Sequence, residues 1–457
     1  MLIRFSVKNF RSIGSNPITL NMVSSSRIQQ HPEHVCESNS SVKVLRNAVI
    51  YGANASGKTN LFKALLVLVM NVRMGSLPIN AQNDFCRTCT SNSEETTVFD
   101  IQFENEGRYF SYGFECFLDE PKIVSEWLYL LENSDFKTVF ERTEEDIKTA
   151  LTNSEKDQVR LDVYKEDFLA DQDSALTLFL PYLNKGRTFA QDSQLNDVAV
   201  AYRWFTQKVQ IFDAQEDNHT SKFYLKKNLN DVSRLLASFD TGIADLRKEK
   251  ITLEEVMRMT PFEHKAVLKE MLNTLSLQAD EPSGLIIRAD GSFIGIERMS
   301  DGSLDSTIMK IKHVGSAFDF DFGDESDGTK RLFDFIDMIM SDDGDVLYVI
   351  DELSRSLHPL LTKHFVQLFN KVHANDDSQL IFTTHENDIM SYEFFRRDEI
   401  WFIERNENGE SKLYPLDEFS KKGLRSDSHV GKQYLEGRYG GIPVLSLEKS
   451  LIAIEGE

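Results

Sequence analysis

The sequence has few cysteines and no long apolar run. Its 457 residues include four cysteines, as is typical of proteins without structural disulfides. The longest apolar run, residues 61–72, is interrupted by Lys63 and is too short to span a bilayer. Residues 1–7 alternate as in a β-strand and lack the apolar stretch of a signal peptide. We therefore expect a cytoplasmic protein with no membrane partner.

Positive charge is also scarce. Lysine and arginine number 51 against 73 acidic residues, which gives a formal net charge of −22. Such a surface repels phosphates at long range and argues against non-specific binding of nucleic acid. Two groups of basic residues could still form local positive patches. They are Lys222, Lys226 and Lys227, and Lys421, Lys422, Arg425 and Lys432. The simpler interpretation is that both groups are ordinary solvated side chains on the surface.

The most informative motif is a loop at residues 52–59, Gly-Ala-Asn-Ala-Ser-Gly-Lys-Thr. It follows a β-type run at residues 48–51 and precedes a helix-like segment at residues 60–72. This order is the context of a phosphate-binding loop, whose backbone amides cradle phosphates at the positive end of a helix. A chance Gly/Ser turn is the alternative. The predicted nucleotide-binding residues are Gly52, Asn54, Ala55, Ser56, Gly57, Lys58, Thr59 and Asn60.

Two residues of this loop have specific expected roles. Lys58 should reach the β- and γ-phosphates, and the Thr59 hydroxyl should bind Mg²⁺. The loop therefore predicts a protein that binds a nucleoside triphosphate, with ATP and Mg²⁺ as the expected ligands.

A second apolar strand, at residues 346–350, ends in two acids. A buried parallel strand places its carboxyl end at the edge of the sheet where ligands bind. We expect Asp351 to hold Mg²⁺ and Glu352 to orient and deprotonate the attacking water. Acids also follow strands simply because loops are exposed to water. The acid pair indicates a metal site here because the same sequence contains a phosphate loop.

A third apolar strand, at residues 379–383, leads to His385. A histidine at this place can hydrogen-bond a γ-phosphate oxygen and respond to whether ATP or ADP is bound. A lone histidine at a strand end usually has no such role. Because His385 follows the phosphate loop and the acid pair along the chain, each at the end of an apolar strand, it is a candidate catalytic residue.

The cysteine spacing raises the question of zinc. Cys86 and Cys89 have the spacing of metal ligands, and His31, His34 and Cys36 could add to them. A structural zinc site usually brings two such pairs, and the sequence has one. Ordinary loop cysteines are the alternative.

The pattern along the chain predicts an α/β domain that is interrupted by a mostly helical lobe. We expect residues 1–135 to form the first part of the ATPase domain, 136–309 the lobe, and 310–457 the second part. Within the lobe, apolar spacing near 3.6 predicts helices at residues 144–151, 196–209, 230–248 and 253–275.

Five segments together resemble bacterial ATPases related to SMC and RecF proteins. They are residues 52–60, 325–333, 346–359, 381–388 and 437–445. These five segments are most similar to those of the ATPases that are found in anti-phage and abortive-infection operons and are called AAA family ATPases. The resemblance implies a P-loop NTPase fold of the ABC/SMC-like type, and the sequence has no heptad run for long coiled-coil arms.

The resemblance also assigns a role to residues 325–329, Glu-Ser-Asp-Gly-Thr, which alone would be a helix cap. In the family, two subunits sandwich ATP, and this signature segment faces the phosphate loop of the other subunit. Ser326 and Gly328 would then contact the γ-phosphate in trans. The segment departs from the transporter version, Leu-Ser-Gly-Gly-Gln, and Gln102 is the candidate for the glutamine loop.

The leading functional prediction is an ATP-hydrolysing protein that forms a homodimer or higher oligomer through composite ATP sites. The resemblance implies that it controls a partner effector, a nuclease or toxin encoded nearby, in anti-phage defence. Two alternatives remain open. One is a RecF-like repair ATPase that binds DNA, and the other is a nucleotide-dependent scaffold that hydrolyses slowly.

Overall fold

A computed structural model describes residues 1–36, 42–77, 83–132, 135–150, 155–213, 222–277, 284–289, 291–422 and 430–443. The chain divides into two compact units, and both are discontinuous in sequence. The first unit comprises Met1–Phe212, Gly344–Leu353 and His373–Glu457, and the second Asp213–Asp343 and Ser354–Val372. The domain boundaries expected at residues 135 and 309 stay predictions.

The strands, in chain order, are β1 (Leu2–Lys8), β2 (Ile18–Asn21), β3 (Val35–Cys36), β4 (Val44–Leu45), β5 (Asn47–Tyr51), β6 (Thr97–Asn105), β7 (Arg108–Phe117), β8 (Lys122–Glu132), β9 (Asp135–Thr143), β10 (Ile147–Thr149), β11 (Val209–Phe212), β12 (Ile243–Ile251), β13 (Gly284–Ala289), β14 (Ser292–Arg298), β15 (Leu304–His313), β16 (Leu347–Ile350), β17 (Gln379–Thr383), β18 (Ile400–Arg405) and β19 (Ser411–Pro415).

The α-helices, in chain order, are α1 (Lys58–Met74), α2 (Glu155–Ala170), α3 (Phe179–Asn184), α4 (Asn196–Arg203), α5 (Phe223–Lys226), α6 (Leu229–Ala237), α7 (Leu253–Met259), α8 (Lys265–Leu277), α9 (Asp327–Met340), α10 (Pro359–Val372) and α11 (Val430–Leu435). None of the helices that the structure describes combines the length and the apolar content that crossing a bilayer requires.

A six-stranded sheet in the first unit carries the phosphate loop. Its strand order is β11-β16-β17-β5-β18-β19, and all pairings are parallel except that of β18 with β19. All five residues of β5 are buried, as expected for a strand covered on both faces. The predicted α/β P-loop fold is confirmed.

A seven-stranded antiparallel sheet, with the order β10-β9-β8-β7-β6-β1-β2, completes the first unit. Strand β6 alternates, so that Phe99, Ile101 and Phe103 are buried. The Phe103 ring stacks on Trp204 with 4.3 Å between ring centroids. These side chains belong to one hydrophobic core with those of α1, so the antiparallel sheet supports the helix that follows the phosphate loop.

The second unit contains a four-stranded antiparallel sheet with the order β12-β15-β14-β13. Its apolar face packs with α7 and α8 around Val256, Leu268 and Ile294. The sheet as a whole was not predicted from the sequence. Between residues 136 and 309, however, more of the described residues lie in helices than in strands.

Two of the predicted helices contain strands instead. Residues 147–149 form β10, which pairs with β9, and Leu151 lies outside the described residues. The helix predicted at residues 230–248 ends at Ala237, because Asp240 (φ 58°) and Gly242 (φ 73°) turn the chain into β12. Strand β12 is stabilised by pairing with the distant β15, which a local period does not reveal.

The other two predicted helices are interrupted. The helix at residues 196–209 ends at Arg203, continues as a π-helical turn over Trp204–Lys208, and gives way to β11 at Val209. The helix at residues 253–275 divides into α7 and α8 at Pro261, which cannot donate a backbone hydrogen bond.

Two of the three lysines in the first basic group pair with acids. Lys222 pairs with Asp343, and Lys227 pairs with Asp342. Of the other group, Arg425 lies outside the described residues. The first group is therefore not a purely positive surface of the kind that DNA binding requires.

Candidate nucleotide-binding site

The site is built at the carboxyl edge of the parallel sheet. Strand β5 lies between β17 and β18, and β16 lies beyond β17. Parallel strands end on the same side, so the residues that follow β5, β16, β17 and β18 meet at one edge. The phosphate loop follows β5, and Asp351 and Glu352 follow β16. His385 comes two residues after β17.

The phosphate loop depends on glycine at both ends. A Cβ on Gly52 would lie 2.4 Å from the carbonyl oxygen of Ile403, and a Cβ on Gly57 would lie 2.1 Å from Oγ of Ser411. Gly57 also has φ 113°, and Ala55 has φ 62°. Backbone in this region curls so that successive amides can point into the loop.

Lys58 begins α1 and folds back over the loop. Its Nζ donates to the carbonyl oxygens of Gly52, at 2.7 Å, and Ala53, at 3.0 Å. Burial lowers the pKa of Lys58 to about 8, although the Glu352 and Asp351 carboxylates act to raise it. A buried ammonium of this kind is stabilised by an anionic ligand.

Two side chains from distant parts of the chain, Ser411 and Ser12, form hydrogen bonds at the loop. Oγ of Ser411 donates to the carbonyl oxygen of Ser56 at 2.8 Å and lies 2.7 Å from Oγ of Ser12. Nδ2 of Asn60 donates to Oγ of Ser12 at 2.7 Å. Ser56 and Asn60 were predicted from the sequence, whereas Ser12 and Ser411, which lie 399 residues apart, were not.

The two acids have different environments. Asp351 is buried, and its Oδ1 accepts a 2.6 Å hydrogen bond from Oγ1 of Thr383 on the adjacent strand. The amide of Glu352 donates to the same Oγ1 at 2.8 Å. Glu352 has φ 51°, a conformation that costs free energy for a residue with a side chain. Strain of this kind is common where a side chain must be aimed at a ligand.

His385 lies in the same electrostatic environment as the acids and Lys58. Loss of hydration, and next the Lys58 ammonium, lower its pKa, while Glu352 and Asp351 oppose the shift. The ring is therefore neutral near pH 7, with one nitrogen as a donor and the other as an acceptor.

One cavity of about 350 Å³ brings most of the predicted residues together. Glu352 and His385 line it opposite the phosphate loop, and Asp351 is the buried neighbour of Glu352. Arg405, at the end of β18, also lines it, and sequence analysis missed this residue. The lining residues are Asn54, Ala55, Ser56, Gly57, Lys58, Thr59, Asn60, Glu352, His385 and Arg405.

The donor groups fit a magnesium nucleotide. Oγ of Ser56 is buried and has no hydrogen-bond partner among the described residues, which leaves it available to a ligand. The hydroxyl of Thr59 and the carboxylate of Asp351 are oxygen ligands of the type that Mg²⁺ prefers.

The signature segment lies in the second unit, at the start of α9. Ser326 is the N-cap residue, and its Oγ accepts from the amide of Thr329 at 3.1 Å. A Cβ on Gly328 would lie 2.7 Å from the carbonyl oxygen of Ser356, so glycine is needed for this close approach. Gln102 lies within β6, opposite Arg4 and Ser111, and not in a loop.

The parallel strand order, the phosphate loop after β5 and the two acids after β16 in the same sheet define a P-loop NTPase fold. Residues 48–391 match the family described as "AAA domain, putative AbiEii toxin, Type IV TA system". This match covers more than half of the sequence, and the chain belongs to that family.

Solved structures of SMC head domains are similar over most of the chain. The SMC head bound to the C-winged helix domain of ScpA is 15% identical, with 91% of this chain and 97% of that chain covered and a TM-score of 0.41. An SMC head with an extended coiled coil, bound to a ScpA domain derived from Pyrococcus furiosus, is 14% identical, with 92% and 98% covered and a TM-score of 0.39. The SMC head of Thermotoga maritima is 15% identical, with 91% and 98% covered and a TM-score of 0.33. No curated protein matches this chain.

Proposed function

We propose that this protein binds ATP with Mg²⁺, hydrolyses it to ADP and phosphate, and uses the cycle to assemble with and release a partner protein. The observation that carries the proposal is the single cavity in which Lys58, Glu352, His385 and Arg405 surround the phosphate loop. Two cations that can bind phosphate and an acid that can act on water suit phosphoryl transfer, and a neutral histidine can add a hydrogen bond to the phosphate.

Each residue then has a role set by its place. The loop amides and Lys58 bind the β- and γ-phosphates, and Thr59 and Asp351 hold Mg²⁺, which neutralises charge on the phosphates. Glu352 orients the attacking water and accepts its proton. His385 donates a hydrogen bond to a γ-phosphate oxygen.

The signature segment supports a composite site. Ser326 and Gly328 lie at the amino end of the 14-residue helix α9, where the helix dipole favours an anion. By the family resemblance they contact the γ-phosphate bound to a second copy of the chain. ATP then links the two copies, and its hydrolysis by Glu352 separates them.

The family description supports a partner protein, because a toxin–antitoxin (TA) system has two components. The description names a putative AbiEii toxin and a Type IV TA system. We infer that the ATP-bound assembly of this chain holds or releases a nuclease or toxin encoded nearby, in defence against phage.

The test is native mass spectrometry of tagged Glu352→Gln protein, purified from its own host in Mg-ATP, together with its ATP turnover. Loss of the base should reduce turnover by about 10²–10⁴-fold and trap the assembly with nucleotide bound. The matched control is Glu386→Gln, because Glu386 follows His385 but does not line the cavity.

The outcomes separate the hypotheses. A stoichiometric second protein that is lost when Lys58→Ala is added supports the switched effector. A homodimer with nucleotide and DNA supports the repair-type alternative instead. Turnover that is equal in Glu352→Gln and in the wild type contradicts the assignment of the base.

A further inference from the structure

A second group of potential ligands lies at the opposite end of β5 from the phosphate loop. One nitrogen each of His31 and His34 and one carboxylate oxygen of Glu33 all lie within 4.8 Å of one another. His34 is in contact with Asn47, the first residue of β5, whereas the loop follows the last residue, Tyr51. At about 3.3 Å per residue, five residues separate the two sites by about 16 Å.

The His34 ring is oriented by a buried carboxylate. Nδ1 of His34 donates to Oε2 of Glu399 at 2.9 Å, and Glu399 is fully buried. Glu399 also accepts from Nδ2 of Asn47, at 2.9 Å, and from the amide of Arg396, at 2.8 Å. Nδ2 of Asn47 also lies 3.3 Å from Nδ1 of His34, but it is closer to Glu399 and donates there. Nδ1 of His34 therefore need not accept from Asn47, and we assign the ring proton to it. Nε2 of His34 then carries a lone pair.

The His31 ring is held in a complementary way. Its Nε2 donates to the carbonyl oxygen of Tyr392 at 2.8 Å. Nδ1 therefore carries the lone pair of the neutral ring, and it lies 3.0 Å from Oε1 of Glu33. A lone pair and a carboxylate oxygen that face each other at this distance need a proton or a metal cation between them.

The backbone that carries these side chains is fixed. The amide of Arg46 donates to the carbonyl oxygen of His34 at 2.8 Å, and Nε of Arg46 donates to that of Glu33 at 3.3 Å. The two imidazole rings stack, with 4.7 Å between their centroids. The three potential ligands thus come from one short turn whose backbone is already ordered.

We propose that His31, Glu33 and His34 form a binding site for a divalent transition-metal ion, with Zn²⁺ as the ion that best suits two imidazoles and one carboxylate. Histidines that bind metals donate their other ring N–H to a carboxylate or a carbonyl, as His34 does to Glu399 and His31 does to Tyr392. Small side-chain rotations bring the nitrogens to about 2.0–2.1 Å from the ion. Water completes a tetrahedral shell on the side where Glu33 is exposed.

The proposed site involves neither member of the Cys86/Cys89 pair. Sγ of Cys86 contacts Oγ1 of Thr88, and Sγ of Cys89 contacts Oγ of Ser91. Within the described part of the chain, the histidines thus cluster with Glu33 and not with these cysteines. The metal would join three side chains of one turn, and the hydrogen bonds of His34 to Glu399 and of His31 to Tyr392 connect that turn to the segment before β18.

The test uses the full chain after dialysis against a chelator, in excess Mg²⁺ and without nucleotide. Zn²⁺ and Co²⁺ are titrated by calorimetry, bound metal is counted by mass spectrometry, and the Co²⁺ complex is examined by visible absorption. We expect one ion per chain and the intense absorption of a tetrahedral Co²⁺ site. Zn²⁺ should also raise the thermal unfolding midpoint, because it binds the native state.

Two partly exposed ligands provide the variants. Changing a group that only orients a metal ligand typically weakens metal binding by roughly 10–100-fold. His31→Asn and Glu33→Gln each remove a ligand itself, so each should weaken Zn²⁺ binding by more than that. His264→Asn, at an exposed histidine of the second unit, is the control and should keep the wild-type affinity. Circular dichroism establishes that each variant is folded.

Two results would overturn the proposal. One is the lack of stoichiometric Zn²⁺ binding by the folded wild type, which would mean that a proton bridges His31 and Glu33. The other is equal Zn²⁺ affinity in the wild type and both variants, which would place any bound ion elsewhere. Neither result bears on ATP turnover, so this inference and the proposed function fail independently.

Discussion

Thr383 donates a 2.6 Å hydrogen bond to the carboxylate of Asp351 across two adjacent parallel strands. The same hydroxyl oxygen accepts from the amide of Glu352 at 2.8 Å. One threonine therefore orients both the expected metal ligand and the backbone of the expected general base. The sequence analysis gave this residue no role, because it ends its strand as an ordinary β-branched residue.

We predict that Thr383→Val lowers ATP turnover by about 10–100-fold and raises the Mg²⁺ concentration needed for half-maximal activity. Valine keeps the shape of the buried side chain but leaves the amide of Glu352 without its partner, which should lower the free energy of unfolding by about 1–3 kcal/mol. Turnover measured against Mg²⁺ tests this, with Thr383→Ser as the control that keeps the hydroxyl. An unchanged Mg²⁺ dependence in the valine variant would show that Thr383 does not position the metal ligand.

Nucleotide affinity should fall at alkaline pH. In the protein without nucleotide, burial lowers the pKa of Lys58 from 10.5 to about 8. Bound phosphates favour the charged ammonium and raise the pKa of Lys58 again. At a pH between the pKa of the free protein and that of the complex, nucleotide binding is therefore accompanied by uptake of a proton. The dissociation constant of Mg-ADP should therefore increase above pH 8, approaching about tenfold per pH unit.

Calorimetry from pH 7 to about pH 9.5 measures this dependence. Lys58→Arg is the control, because its guanidinium stays charged and its affinity, whatever its value, should not change over this range. A wild-type affinity that is constant up to pH 9.5 would mean that the ammonium of Lys58 is already charged without nucleotide.

Arg405 should contribute to phosphate binding. It lines the cavity at the end of β18, and a hydrogen bond to a charged group contributes about 1.5–3 kcal/mol. Arg405→Ala should then weaken nucleotide binding by about 10–100-fold, and Arg405→Lys should recover part of it. Fluorescent Mg-ADP and a non-hydrolysable Mg-ATP analogue measure the effect, and a loss confined to the ATP analogue would place Arg405 at the γ-phosphate.

The comparison needs an arginine that does not line the cavity, so that its removal lowers the net charge without removing a contact in the site. Arg234→Ala serves, because the side chain of Arg234 is 79% exposed and lies in the second unit. If both variants weaken binding equally, the effect of Arg405 is a long-range one and not a contact.

Ser326 combines a structural role with the proposed contact in trans, and Ser326→Asn separates them. Asparagine caps a helix as well as serine does, so the stability of the protein should change by only a few tenths of a kcal/mol. It has no hydroxyl for the second nucleotide, so dimerisation in Mg-ATP should be lost. Thermal unfolding and light scattering measure the two properties, and a variant that still dimerises would show that Ser326 acts only as a cap.

The order of residues along the chain predicted most of the side chains that the structure brings together around one cavity. A strand, a glycine-bearing loop and a helix that begins at Lys58 follow one another in sequence, so their order alone indicates a phosphate loop. Asp351, Glu352 and His385 were also identifiable, because each comes at or just after the end of an apolar strand.

Tertiary structure decided everything that depends on which strands are neighbours. Arg405 enters the cavity only because β18 pairs with β5, and Ser411 reaches the loop only because β19 pairs with β18. His34 meets Glu399 across 365 residues, and the predicted helix at residues 230–248 yields to β12 because β15 pairs with it. Hydrogen bonds between distant segments leave no periodic pattern in the local sequence. The sequence by itself therefore predicted the phosphate loop and the acids. Only the tertiary structure revealed the groups that hold them in place.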